Sequence, residues 1–277
     1  MKYITTYKDY ALTPPLKARV RSASRKLAIY GLSKFKAIDK TTNWIRLPYY
    51  HHVFDDEIKG FERQLKYLKN FGDFISIDQV CEMVEAEQPI SGRYFCVSFD
   101  DGYRCCYTNM MEITAGLSIP VIIYLPTDYT GLNESNEADV VKIKQNYPEN
   151  PNLELFLSWD QCREMIKHKV SFGSHTKSHA NLIKLSNEEI EKELRASKEV
   201  IERELNVPCV HFACPWGQAG VNFNPVITKP IAQKLGYKSF ATTHRGKMQQ
   251  GDDLFLLKRD HLLAEWGNYQ LNYFFSK

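Results

Sequence analysis

The chain has 277 residues, 43% of them hydrophobic, enough to bury a sizeable core as one domain or as one domain with an appendage. No run approaches the roughly eighteen apolar residues of a membrane span, and the N-terminus lacks the segments of a secretory signal, so an intracellular protein is expected. Seven cysteines without C-x-x-C spacing fit reduced, buried thiols better than a disulfide framework or a zinc ribbon.

The formal net charge of +3 hides an asymmetry, because residues 1–44 carry ten Lys and Arg against only Asp9 and Asp39. That stretch is read as a basic N-terminal extension, separate from a domain spanning 45–277. Within it Leu16, Val20, Ala23, Leu27 and Tyr30 fall on one helical face beside Lys17, Arg21 and Arg25, with Pro14 and Pro15 before and Gly31 after. Two readings stay open for this helix. It can pack on the domain, or residues 14–40 can rest on an anionic membrane at its inner, cytoplasmic face. Nucleic acid is not an expected partner.

From residue 45 strand-like and helix-like segments alternate, which suggests an α/β barrel. Ile45 to Tyr50 predicts a strand, Ile58 to Asn70 a helix with Phe61, Leu65 and Leu68 inward, and Asp78 to Ala86 a second helix. Phe95 to Phe99 predicts the next strand, and the apolar Val121 to Leu125 a buried one. The polar stretch from Thr127 to Leu153, with Asp128, Tyr129, Glu134 and Asn136, borders an active-site mouth or forms an exposed insertion. A helix over Trp159 to Lys167 follows, then one opened by a Ser186/Glu189 capping box and running to about Leu205, then a strand over Val210 to Ala213.

Two segments carry the chemistry. The first is the strand ending Phe99-Asp100-Asp101-Gly102-Tyr103, which delivers two carboxylates to its C-terminal end, where barrel enzymes keep their catalytic groups. Side chains of neighbouring residues diverge there, so one Asp can bind a cation while the other takes a proton. The second is His175-x-x-x-His179, whose spacing puts both imidazoles on one face of a helical turn. With one carboxylate they make a three-ligand divalent-metal site with open positions. Spacing does not decide which Asp is which.

Together with Tyr50-His51, Phe61-x-x-Gln64-Leu65-x-x-Leu68, Leu157-Ser158-Trp159 and Phe212-Ala213-Cys214-Pro215-Trp216-Gly217, these segments resemble the polysaccharide deacetylases of the NodB-homology type, carbohydrate esterase family 4, over roughly residues 45–260. The resemblance implies a distorted parallel (β/α) barrel, commonly of seven strands, with a divalent metal, usually zinc. It makes Asp100 the general base and Asp101, His175 and His179 the metal ligands. Oxyanion stabilisation falls to main chain at the Pro215-Trp216 turn, with the Trp216 ring, Tyr103 and His51 toward substrate. Where many relatives have Arg-x-Pro-Tyr, this chain has Ala213-Cys214-Pro215-Trp216, so the usual arginine is missing. Leu257-Lys258-Arg259 resembles a late Leu-x-Arg motif of other branches, which gives Arg259 the task of orienting Asp100. For the general acid His261 is the nearest candidate, with His51 and His52 competing; His168, His211 and His244 are read as structural.

The function expected is metal-dependent removal of an N-acetyl or other N-acyl group from an amino sugar of a glycan or glycan precursor in surface-polysaccharide biosynthesis. Its substrate would be an N-acetylated sugar, a glycan, or a nucleotide- or lipid-linked saccharide. An O-acetyl ester, a non-sugar amide, or glycan binding without turnover are the alternatives the same residues allow.

Overall fold

The computed structural model describes residues 3–11, 16–132, 136–146 and 155–276. Pro14, Pro15, Glu134 and the side chain of Leu16 lie outside the described part. In chain order come α1 (Tyr7–Tyr10), α2 (Leu16–Ser33), β1 (Trp44–Arg46), β2 (Pro48–Tyr50), α3 (Ile58–Leu68), β3 (Asp73–Phe74), α4 (Ile77–Glu85), β4 (Arg93–Phe95) and β5 (Val97–Phe99). There follow α5 (Met111–Gly116), β6 (Val121–Leu125), α6 (Glu137–Asn146), α7 (Trp159–Ile166), β7 (Val170–Ser174) and α8 (Asn187–Leu205). The chain ends with β8 (His211–Ala213), α9 (Pro225–Lys234), β9 (Ser239–Ala241), β10 (Asp260–His261) and α10 (Asn268–Phe275).

Seven strands form one parallel sheet in the order β10-β2-β5-β6-β7-β8-β9, curled with helices outside it into the distorted (β/α) barrel expected. Residues 257–262 draw its two edges together. Leu257 and Arg259 donate to Phe240 and His244 on one side, while Asp260 and Leu262 donate to Leu47 and Tyr49 on the other. The expected strands over 45–50 and 95–99 are each split, at Leu47 and at Cys96. Their first halves, β1 and β4, pair with each other, and β4 pairs with β3 on its other side, in a separate three-stranded sheet of order β1-β4-β3. The Cys96 N–H still donates to the Arg46 carbonyl, so the two chains stay paired across the break and re-enter the barrel as β2 and β5.

All five residues of β6 are buried, as a strand covered on both faces requires. Val121, Ile123 and Leu125 join the core under the helices with Phe61, Leu65 and Leu68, whereas Ile122 and Tyr124 join a second cluster with Ile45, Ala213 and Leu257. The Ser186/Glu189 capping box is present, with the Ser186 side chain accepting from Glu189 N–H and the Glu189 carboxylate from Ser186 N–H.

The N-terminal residues attach at two places. Residues 3–11 lie on the loop after β2: Asp55 N–H donates to the Thr5 carbonyl, Tyr7 N–H to Asp56 Oδ1 at 2.8 Å, and the Tyr10 ring meets Phe54 at 5.3 Å. α2 docks through buried Ile29 onto α10, with Tyr30 edge-on to Tyr269 at 5.5 Å. Apart from Tyr30, the described side chains of its expected apolar face do not dock. Val20 and Leu27 are 61% and 72% exposed, and they sit roughly 100 to 180° around the helix from Ile29 together with Ala23 and Tyr30.

Candidate active site

β5 ends where the alternation predicts and hands both carboxylates to the mouth of the barrel. The turn is tight: Asp101 has φ 69° and Gly102 φ 65°, and a Cβ on Gly102 would come within 2.5 Å of Leu125 Cδ2. Glycine is therefore needed there for both space and conformation. Thr176, His179 and Trp216 also hold positive φ angles. Left-handed non-glycine residues cost of order 1–3 kcal/mol each, and here they gather around one cleft.

The His-x-x-x-His segment corrects the sequence expectation of a helical turn, because both histidines sit on a loop after β7. Glu193 of α8 holds that loop, accepting from Lys177 N–H at 3.0 Å, Ser178 N–H at 2.9 Å and the Ser178 hydroxyl at 2.9 Å. The imidazoles still converge, with ring centroids 5.0 Å apart. His175 Nε2 and His179 Nε2 lie 3.5 and 3.2 Å from Asp101 Oδ1, and the ligand atoms of the three residues all lie within 4.8 Å of one another. His175 Nδ1 is 2.7 Å from the Ala213 carbonyl, which only an N–H can satisfy, so Nε2 presents a lone pair. Burial holds this imidazole down at about 4 and keeps it neutral. Asp101 Oδ1 is buried without a hydrogen-bond partner and faces that lone pair. A divalent cation is the group this donor set fits.

Asp100 is held apart from the triad. Arg259 Nη1 and Nη2 donate to its two oxygens at 2.7 and 2.8 Å, while Arg259 Nε donates to the Thr242 carbonyl at 2.9 Å. The guanidinium lies 4.2 Å from the Tyr49 ring centroid and is fully buried. Burial alone would raise the Asp100 carboxyl, but the charge of Arg259 and its two hydrogen bonds outweigh it and hold the group below the usual carboxylate range.

Of the other residues singled out by the sequence, His51, His52, Tyr103, Trp216 and His261 line the same cleft, a cavity of about 590 Å³, and Pro215 does not. His51 Nε2 is 4.0 Å from Asp101 Oδ2, and its ring stands edge-on to His261 at 5.1 Å. Burial lowers both imidazoles, His261 to about 4. His52 is turned away from the triad and stacks between Tyr103 at 4.2 Å and Phe54 at 4.6 Å. The turn after β8 is closed by Gly217 N–H on the Pro215 carbonyl, and the half-exposed Trp216 ring meets His179 at 4.6 Å. His211, read as structural, lies between Ser239 and Asp78. From the polar excursion Tyr129 lines the cleft, Asp128 pairs with Lys177 at 2.8 Å, and exposed Asn136 accepts from Ala138 N–H. Sequence reasoning missed Tyr7, Tyr10, Tyr49, Glu57 and Phe156 as lining residues. Glu57 accepts from Phe54 and Glu265 N–H, and burial pushes its carboxyl up to about 7.

A seven-stranded parallel barrel whose mouth gathers an Asp-His-His donor set beside a second, arginine-clamped carboxylate defines a hydrolase class. A family model described as polysaccharide deacetylase matches residues 88–240, more than half the chain, and the chain belongs to that family. It is 22% identical over 238 residues to YxkH of Bacillus subtilis, which carries a provisional assignment as a polysaccharide deacetylase; the match covers 81% of this chain and 76% of YxkH. Among solved structures, the Streptococcus pyogenes deacetylase PplD in complex with acetate superposes with a TM-score of 0.66 at 22% identity, covering 86% of this chain and all of that one. IcaB from Ammonifex degensii superposes with a TM-score of 0.69 at 18% identity, covering 85% of this chain and 98% of its own.

Proposed function

We propose that this chain hydrolyses an N-acetyl group from an amino sugar of a glycan or glycan precursor, with Asp101, His175 and His179 holding a divalent cation, zinc by preference of the donor set. The observation that carries the reading is the orphaned Asp101 oxygen facing the His175 lone pair, beside a base already fixed by Arg259. PplD is a deacetylase described with acetate, which supports acetyl as the group removed. A bound cation would polarise the acyl carbonyl and acidify the attacking water. Asp100 takes the proton from that water, kept ionised and oriented by Arg259. Main-chain N–H at the Pro215-Trp216 turn steadies the oxyanion, and His261, with His51 edge-on to it, passes a proton to the departing amine after first taking one up, because burial leaves its imidazole neutral at rest. Acetate release from N-acetylated and O-acetylated sugars, by chelated and by zinc-reloaded protein, tests this. Zinc should restore release from the N-acetyl sugars, and Asp100→Asn should cut it by about 10² to 10⁴. Release from O-acetyl sugars alone would favour the esterase reading, and none from any sugar would refute hydrolysis.

We also propose that the protein sits on the cytoplasmic face of an anionic membrane through α2. Exposed Val20, Leu27, Tyr30, Leu32 and Phe35, the last 89% exposed, support this beside exposed Lys17, Arg21, Arg25 and Lys26. Seven free thiols support a reducing compartment.

A further inference from the structure

Between Arg259, which grips the base, and His261, which lines the cleft, the chain carries an acid that the proposed chemistry does not use. Asp260 is 1% exposed, as is Arg46 at the end of β1, and Arg46 Nη1 donates to Asp260 Oδ2 at 2.9 Å. Arg46 Nη2 donates to the Phe275 carbonyl at 3.2 Å, and its guanidinium lies 5.2 Å from the Phe275 ring centroid at the end of α10. The second Asp260 oxygen lies 3.6 Å from Arg245 Nη1, and Arg245 Nη2 donates to the His261 carbonyl at 2.7 Å. Two cations from separate parts of the chain thus converge on one buried carboxylate.

Neighbouring residues of a strand face opposite ways. Leu257 joins the core cluster that holds Tyr124, and the Arg259 guanidinium lies 5.5 Å from the Tyr124 ring. Asp260 turns the other way, to Arg46 and the end of α10, where Leu262 and Phe275 share the core under the helices. A slip of one residue would turn Arg259 and His261 outward and bring Asp260 to the Asp100 side. The ladder does little to prevent it, because β10 has two residues and pairs in the sheet with β2 alone. A buried ion pair adds little net stability over an apolar pair of the same size, but this one can be made in one register only.

We infer that Asp260, through its pair with Arg46, is a positioning residue for the reaction: it fixes the register of residues 257–262, so that Arg259 meets Asp100 and His261 faces the cleft. Asp260 acts through these two neighbours. Its part in turnover rests on the deacetylase reading of the cleft, whereas the register lock does not.

Stability and turnover are expected to separate in variants of the full-length protein. Asp260→Asn leaves a buried charge without its partner and should lower Tm. Arg46→Met with Asp260→Leu replaces the pair by apolar groups of similar bulk, and Tm should return to the wild-type value. The kcat should not return, staying at least about tenfold down with KM within about twofold, since apolar contact is non-directional and a small displacement of the Arg259 fork is enough. In that double variant Arg259→Lys should cost less than about threefold more, against its larger effect in wild type. Full kcat per folded molecule in either variant, or an undiminished effect of Arg259→Lys, would overturn the inference and leave the pair a prop of the fold. Amide hydrogen exchange reads the register without substrate. The amides at positions 260 and 262, which donate to Leu47 and Tyr49, should exchange at least about tenfold faster in the double variant while those of β6 and β7 stay protected. Unchanged protection at both positions would also overturn it. Faster exchange there, in a protein whose zinc-loaded wild type releases no acetate, would leave the lock standing and remove the deacetylase reading.

Discussion

Arg259 is fully buried and meets Asp100 through two parallel hydrogen bonds, across 159 residues of sequence. A guanidinium fork grips both carboxylate oxygens, whereas an ammonium is a point charge that leaves the carboxylate free to turn. Arg259→Lys should therefore lower kcat by about 100-fold with KM nearly unchanged, because misplacing a catalytic group by about 1 Å costs that much. Steady-state kinetics would check it, and an equal loss in KM would mean that Arg259 binds substrate instead. The four residues of the Asp-Asp and His-x-x-x-His segments were legible because each pair is written locally, in a strand end and a fixed spacing. Arg259 was legible only through the position of a resembling motif, since nothing in Leu-Lys-Arg says which carboxylate it faces. Tyr10 and Glu57 were not legible at all. An aromatic in a basic extension and an acid ahead of a helix carry no local pattern, and only tertiary contact brings them to the cleft.

Spacing misleads most where an element's hydrogen bonds are taken by a side chain from elsewhere. His175 and His179 are separated as helix neighbours are, but Glu193 takes the N–H groups of Lys177 and Ser178, and the segment stays a loop. The breaks at Leu47 and Cys96 were equally hidden, because buried residues of two adjoining strands read as one apolar run. For α2 the amphipathic pattern was readable, but not which side would meet the barrel. Ile29 docks, with Tyr30 edge-on to Tyr269, and the face with Val20 and Leu27 is left to solvent. If that face meets lipid, the protein should float with vesicles rich in phosphatidylserine and not with phosphatidylcholine alone, and salt should weaken the association. Leu27→Glu with Phe35→Glu should abolish it while leaving soluble-substrate turnover intact. Binding that survives both substitutions would rule out this face.

At the scale of the molecule, the proposed metal site is assembled from distant pieces of the barrel: Asp101 after β5, His175 and His179 after β7, and the Ala213 carbonyl of β8 that sets the His175 tautomer. Strands β5 to β8 are consecutive neighbours in the sheet, so a cation bound there would bridge one side of the barrel mouth. Such a ligand binds the folded state far more tightly than the unfolded one, in which Asp101 is not held beside the two histidines. Free zinc at about 100 times its dissociation constant would then add about 2.7 kcal/mol. With roughly 2 °C of Tm for each kcal/mol in a chain of this size, zinc should raise Tm by about 5 °C over chelator-treated protein. Asp101→Asn and His179→Ala should each lose most of that rise, whereas Asp100→Asn should keep it, since Asp100 is bound to Arg259 and supplies no ligand. Differential scanning fluorimetry with and without zinc reads this without any substrate. A rise retained in Asp101→Asn, or abolished in Asp100→Asn, would mean that the two neighbouring carboxylates have exchanged the roles assigned to them.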